Sequence, residues 1–178
     1  MRIRRAGLRD AALIAEVHVR SWQDGYRGQL PQDLLDSLEP AQRIPRWTAV
    51  LEQAAWPGRG VLVAVDGRDL VGFANLGPTR DADQDPATVG EITSFYVRPD
   101  RWGEGIGRRL MAASLETLTE AGYAQATLWV LDTNIAAMRF YEATGWQADG
   151  AVKHDELAGA AIRDQRYRYG LTSLERRD

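Results

Sequence analysis

The stretch Val97-Arg98-Pro99-Asp100-Arg101-Trp102-Gly103-Glu104-Gly105-Ile106-Gly107-Arg108 decides how this chain is read. Ahead of it, Glu91 to Val97 reads as a central strand, ended by Pro99. Behind it, Ile106, Leu110, Met111, Ser114, Leu115 and Leu118 recur at helical spacing, and Gly122 closes that helix. The bend between them carries glycines at 103, 105 and 107. Glycine accepts positive φ and lets backbone N–H groups approach a ligand without a Cβ in the way. The first amides of the following helix lack internal partners, and the helix dipole favours negative charge there. Strand, glycine bend and helix together make a cradle for a phosphate-like anion.

Two common phosphate motifs fail to fit. A Walker loop needs Gly-Lys-Ser or Gly-Lys-Thr, and neither occurs. A dinucleotide fingerprint needs Gly-x-Gly-x-x-Gly in a first βαβ unit, whereas this spacing is Gly-x-Gly-x-Gly and follows a hairpin.

Outward from the bend, the order is mixed α and β. Ile3 to Ala6 reads as a short strand, and Leu8 to Trp22 as a helix with Asp10 as an early cap. Pro31 opens a second helical stretch through Leu34, Leu35 and Leu38, before Pro40. Val61–Val65 and Leu70–Ala74 form a hairpin around Asp66-Gly67, and the segment Gly77 to Val89 reads as a loop. Ala126–Leu131 is an apolar strand, followed by a helix capped by Asp132, Thr133 or Asn134 and closed by Gly145. Ala151 to Ala161 reads as a loop, and Tyr167, Tyr169 and Leu171 alternate with polar residues as a last strand. No repeat or linker divides the 178 residues, which predicts one domain over 1–178.

Composition narrows the chemistry. With 44% hydrophobic and 26% charged residues, the chain reads as globular, and no apolar run suits a bilayer span or a signal sequence. A cytoplasmic protein is expected. The absence of cysteine removes disulfides, zinc–thiolate sites and a thiol nucleophile. Two distant histidines, His18 and His154, do not suggest a metal site, so none is expected. A formal charge of −3 argues against a nucleic-acid binder. Arg98, Arg101, Arg108 and Arg109 nevertheless flank the glycine bend, while acids gather in Asp81-Ala82-Asp83-Gln84-Asp85. A small polyanion is thereby drawn to one place on an acidic chain, unless those arginines are only a solvated helix face.

The glycine stretch resembles the Gln/Arg-x-x-Gly-x-Gly/Ala hallmark of the GCN5-related N-acetyltransferases. The resemblance continues through Asn134-Ile135-Ala136-Ala137-Met138-Arg139-Phe140-Tyr141-Glu142-Ala143-Thr144-Gly145-Trp146, similar to the family's Asn…Phe-Tyr-x-x-x-Gly-Phe segment. The hairpin and the Glu91 strand fall in family order, and the likeness is strongest over 91–146. It implies an α/β domain with a mixed, largely antiparallel sheet flanked by helices, its strands splayed to admit acetyl-CoA as co-substrate. One departure is Trp102 at the usual Gln/Arg position, which leaves side-chain contact with the pyrophosphate to Arg101 or Arg108, or leaves the anion to backbone amides.

The resemblance also implies roles. Tyr141 matches the tyrosine proposed as general acid near the coenzyme sulfur; a phenol of pKa about 10 can donate to a thiolate of about 8.5. Glu91 matches an acid that serves some relatives as general base, although a strand-end surface glutamate is the plainer alternative. Backbone amides near Tyr96 and Val97 polarise the thioester carbonyl in such enzymes. Gly103, Gly105, Ile106, Gly107 and Arg108 would hold the pyrophosphate, and Asn134 would lie near the pantetheine arm or serve only as a cap. Trp22 and Tyr26, one helical turn apart, either line an acceptor pocket or simply pack. His154 is expected to be exposed. The expected reaction is acetylation of a primary amine, most simply on a small molecule, by direct attack. A protein N-terminus or lysine is the alternative acceptor, and a non-catalytic acyl-CoA sensor the alternative function. Homodimers are frequent in the family.

Overall fold

The computed structural model describes residues 1–157 and 159–171. Seven strands form one sheet in the order β1-β2-β3-β4-β5-β7-β6. They are β1 (Arg2–Arg5), β2 (Gly60–Asp66), β3 (Asp69–Pro78), β4 (Val89–Val97), β5 (Gln125–Leu131), β6 (Gln147–Leu157) and β7 (Ala160–Gly170). All neighbours pair antiparallel except β4 and β5, which run parallel. Five helices cover the sheet: α1 (Ala11–Gly25), α2 (Gln32–Asp36), α3 (Pro40–Glu52), α4 (Ile106–Glu120) and α5 (Ile135–Ala143).

The apolar stripes of these helices divide the core. Leu110, Met111 and Leu118 of α4 meet Leu76, Ile92 and Leu128 on one face of the sheet. Ile14, Ala15 and Val17 of α1 join Trp47 and Leu51 of α3 over Val61, Val63 and Phe73 on the other. A third cluster sets Leu35 and Leu38 under Leu131 and Ile162.

Helix α3 has no counterpart in the sequence reading. Pro40 occupies its first turn and Pro45 its interior, which removes a backbone donor and masks the helical pattern. What fixes the helix is tertiary burial of Trp47, 1% exposed, and Leu51. Two further expectations are corrected. Residues 151–157 belong to β6, paired with β7, rather than to a loop. Asp10 makes no cap bond to α1; its carboxylate accepts the Gly7 N–H at 2.8 Å and grips Arg4 in a bidentate pair.

Two irregularities in the sheet place the site. The ladder between β4 and β5 lasts only from Val89↔Gln125 to Glu91↔Thr127, and the strands then part. Along β4, Ser94 pairs with Asn75 and Ile92 with Leu76, so Thr93 is an extra, bulged residue. The bulge resets the alternation. Ile92 and Phe95 therefore both face α4 and α5, while Tyr96 turns toward α1.

Candidate active site

The glycine bend sits where β4 hands the chain to α4. Gly103 and Gly105 hold φ of +82° and +77°, and open space lies where a Cβ would project. These are left-handed conformations that a side chain would strain. Gly107 serves a different end. A Cβ there would come within 3.3 Å of the Phe140 ring, so this glycine lets α4 lie close to α5. Among the described residues, the backbone N–H groups of Gly103 through Arg108 meet no acceptor. A row of free amides at the positive end of a fifteen-residue helix is suited to an anion.

The arginines around it divide in use. Arg101 is bound to Glu104 and to Asp66 of the β2–β3 hairpin, and Arg98 to Asp100. Arg108 and Arg109 are exposed and make no ion pair among the described residues. The Trp102 indole is exposed and donates to the Val97 carbonyl at 2.9 Å, bracing the bend against the end of β4.

Deeper in, the parted strands leave a gap floored by aromatic residues. Phe95 stacks on Phe140 at 5.7 Å between centroids, and Tyr141 lies edge-on to both. Asn134 caps α5 by accepting the Ala137 N–H at 3.1 Å, which fixes the start of the helix that carries Tyr141. Tyr141 is 8% exposed, and its hydroxyl has no hydrogen-bond partner among the described residues. Burial, and then the neighbouring Tyr96, hold its phenol far above the ordinary tyrosine range. It stays protonated at any physiological pH. Tyr96 receives the Trp22 indole N–H at 2.9 Å, so α1 is latched to β4 through the site. Trp22 in turn meets Tyr26 edge-on at 5.2 Å. Burial raises Tyr26 strongly, with Tyr96 and Tyr141 adding to the shift. Trp22 thus joins Tyr26 and Tyr96 on the α1 side, while Tyr141 sits in the core under α4 and α5.

The β3–β4 loop forms the wall on the other side of the gap. Glu91 is 1% exposed and faces the loop, where Arg80 holds it. Arg80 Nε and Nη2 reach its two oxygens at 3.1 and 2.7 Å, and the Arg80 backbone N–H adds a third bond at 3.0 Å. The next residue, Asp81, is a buried hub. It accepts Lys153 at 2.6 Å, Arg166 at 3.2 Å and the Trp129 indole at 3.0 Å. Burial works to raise the Asp81 carboxyl, but the bonds from Lys153, Trp129 and Arg166 keep it below its ordinary value. Arg166 also binds Asp83 and Asp149, and Lys153 lies 3.8 Å over the Trp129 ring. The loop is therefore riveted to β5, β6 and β7.

The residues singled out from sequence separate into three places. Gly103, Gly105, Ile106 and Arg108 gather at the anion end. Tyr96, Val97, Asn134 and Tyr141 border the gap, and Trp22 and Tyr26 line its α1 side. Arg101 and Glu91 are engaged in ion pairs, and exposed His154 on β6 lines a hollow with Leu131 and Ile162. The Asp81 hub was missed: its acids read as a charged surface loop, and only pairing with Arg166, 85 residues away, makes them structural.

The chain matches the model of the Acetyltransferase (GNAT) family over residues 20–146. It is similar to the uncharacterized N-acetyltransferase YuaI of Bacillus subtilis, 32% identical over 163 residues, which cover 91% of this chain and 88% of that one. Among solved structures it resembles the ribosomal-protein-alanine N-acetyltransferase of Brucella melitensis, with TM-score 0.75, 21% identity and coverage of 96% and 100%. It also resembles YncA, a putative acetyltransferase of Salmonella typhimurium determined with acetyl-CoA, with TM-score 0.72, 22% identity and coverage of 100% and 98%. The chain belongs to the GNAT acetyltransferase family and is an acyltransferase.

Proposed function

We propose that this enzyme transfers an acetyl group from acetyl-CoA to a primary amine of a small molecule. The observation that carries the reading is the row of free amides from Gly103 to Arg108 at the mouth of the gap between β4 and β5. The amides and Arg108 receive the coenzyme pyrophosphate, and the pantetheine arm runs into the gap past Asn134. The thioester then lies under Tyr141, its carbonyl oxygen toward the backbone near Tyr96 and Val97. An amine attacks directly in a ternary complex, since the chain has no cysteine to carry the acyl group. The C–S bond breaks and Tyr141 protonates the leaving thiolate, a role suited to a phenol kept neutral by burial.

A small acceptor is favoured by the acceptor side, where the riveted β3–β4 loop forms a wall and a half-open hollow of about 160 Å³ is lined by Gln29, Leu131, Asp132, Thr133, His154 and Ile162. Glu91, clasped by Arg80, orders that loop rather than acting as a free base. The test is thiol release from acetyl-CoA with a panel of primary amines, alongside calorimetric titration of the coenzyme. Turnover with small amines and none with N-terminal peptides or lysine peptides supports the reading. Turnover with peptides alone assigns a protein acceptor, and coenzyme binding without any turnover assigns a sensor.

A further inference from the structure

A half-buried carboxylate on β7 has no partner among the described residues. On β7, Ile162 packs among Trp22, Tyr26 and Leu131. Four residues further along the strand, Arg166 lies over Trp129 and reaches Asp81 on the same face. Tyr167 points into the opposite core. Asp164 stands between Ile162 and Arg166 in this alternation, so it faces the acceptor side of the gap. Its cross-strand partners are Leu131 on β5 and Lys153 on β6.

Of the other acids around this volume, Glu91 is held by Arg80, Asp81 by Lys153, Trp129 and Arg166, and Asp132 by Arg163, while Asp155 on β6 is exposed. Asp164 makes no hydrogen bond or ion pair among the described residues. Its charge helps to raise the phenols of Tyr26 and Tyr96, in keeping with its place on the Ile162 face. Tyr141, in the core on the other face, is more than nine-tenths buried and has no hydrogen-bond partner among the described residues. An unpaired carboxylate opposite an unpaired, neutral phenol leaves room for a group that is cationic toward one and neutral toward the other. An alkylammonium that becomes an amine is such a group.

We propose that Asp164 receives the ammonium of the acceptor and takes the proton that must leave before attack, so that the acceptor is an amine charged at neutral pH. This rests on the acetyl transfer proposed above. The ammonium gives one proton to Asp164. The freed lone pair forms the C–N bond at the thioester carbonyl as the C–S bond breaks. Sulfur takes the proton of Tyr141, and the second excess proton on nitrogen restores that phenol. The proton on Asp164 passes to solvent, leaving amide, free thiol and one proton.

The groups facing Asp164 suit the task. Burial first raises its carboxyl; Lys153 opposes this, and Asp155 and Asp132 add to it. The Lys153 ammonium is already drawn to Asp81 at 2.6 Å, so it does not quench the charge. Tyr26 and Tyr96 are neutral, and Asp155 is exposed, whereas Asp164 is half-buried.

The experiment compares wild type, Asp164→Asn and Asp164→Glu with two kinds of nucleophile. One is the best alkylamine of the panel, and the other is methoxyamine, which is uncharged at neutral pH. Asp164→Asn is expected to lose about 100-fold in kcat/KM with the alkylamine, as removal of a general base does. With methoxyamine it should lose only a few-fold. Its rate with the alkylamine should keep rising with pH toward the amine's own pKa, where wild type levels off earlier, and Asp164→Glu should recover part of the rate. Acetyl-CoA affinity and the urea midpoint serve as controls and should stay near wild type. Equal losses with both nucleophiles, or an unchanged rate with the alkylamine, overturn the assignment of Asp164. A wild-type enzyme that binds no acetyl-CoA or acetylates no amine overturns the underlying reading instead.

Discussion

Arg80 and Glu91 meet in a bidentate pair whose two ends live in different media: the guanidinium side chain is 70% exposed and the carboxylate side chain 2%. The carboxylate gives up water and receives three hydrogen bonds in exchange, all from one residue of the β3–β4 loop.

Removing the exposed partner therefore strands the buried one. Arg80→Ala should destabilise the fold by about 2 kcal/mol, the scale of a lost hydrogen bond to a charged group. The double variant Arg80→Ala with Glu91→Gln should return part of the way, because a neutral amide is easier to bury. Urea denaturation of the four proteins gives the coupling. Glu91→Gln alone should lower turnover less than tenfold, and a 100-fold loss with a shifted pH profile would reinstate Glu91 as the base.

Tyr141→Phe keeps the ring that packs on Phe95 and Phe140 and deletes only the hydroxyl. Turnover should fall about 100-fold, within the range for loss of a general acid. The affinity for acetyl-CoA should change less than threefold. Steady-state kinetics and calorimetry separate the two, and an unchanged rate removes Tyr141 from the chemistry.

At the bend, Gly105→Val places a β-branched side chain at φ +77° and in the open space before the amides. Coenzyme binding should drop below detection by calorimetry while the far-ultraviolet dichroism persists. Gly107→Ala should show the reverse pattern, with weaker folding and milder loss of affinity, since the new methyl group presses on Phe140 rather than on the anion.

His18, whose ring meets those of Trp22 and Tyr96 at 5.6 and 5.4 Å, predicts a pH dependence of stability. It is 6% exposed, and its Nδ1 accepts the Trp47 indole N–H at 3.2 Å, so the neutral ring is the one the core holds. Burial, with Arg46 and Arg43 behind it, lowers its pKa from 6.5 to about 4. Below pH 6.5 the unfolded chain binds the proton that the folded chain refuses. Stability is thus full above pH 6.5 and falls as pH drops toward 4, by about 3 kcal/mol for this group. Urea midpoints from pH 7.5 to 4.5 should decline in wild type. They should decline less in His18→Asn, which keeps an acceptor for Trp47 and cannot ionise.

What was legible in the sequence was whatever a local signal encodes. The glycine bend, the capping Asn134 and the apolar runs of β2, β4 and β5 each state their conformation within a few residues. Helix α3 was not legible because Pro45 in its interior contradicts a helix locally, and the burial of Trp47 against Phe73 that overrides it is tertiary. The engagement of Glu91 and the freedom of Asp164 were hidden for a related reason. A carboxylate's role depends on which cation folds beside it, and Arg80 and Arg166 reach their partners only once the β3–β4 loop has docked.

The early parting of β4 from β5 has a consequence for the life of the protein outside catalysis. An unpaired strand edge is a template on which foreign chains add and aggregates begin. Here two such edges lie inside the sheet, recessed rather than guarded by charge. In the binding mode proposed above, the slender pantetheine arm, with amides of its own, fills that slot. The donor is then also a splint. Held at one hundred times its dissociation constant it would add roughly 2.7 kcal/mol to the folded state, and starvation for the coenzyme would shorten the enzyme's survival along with its activity.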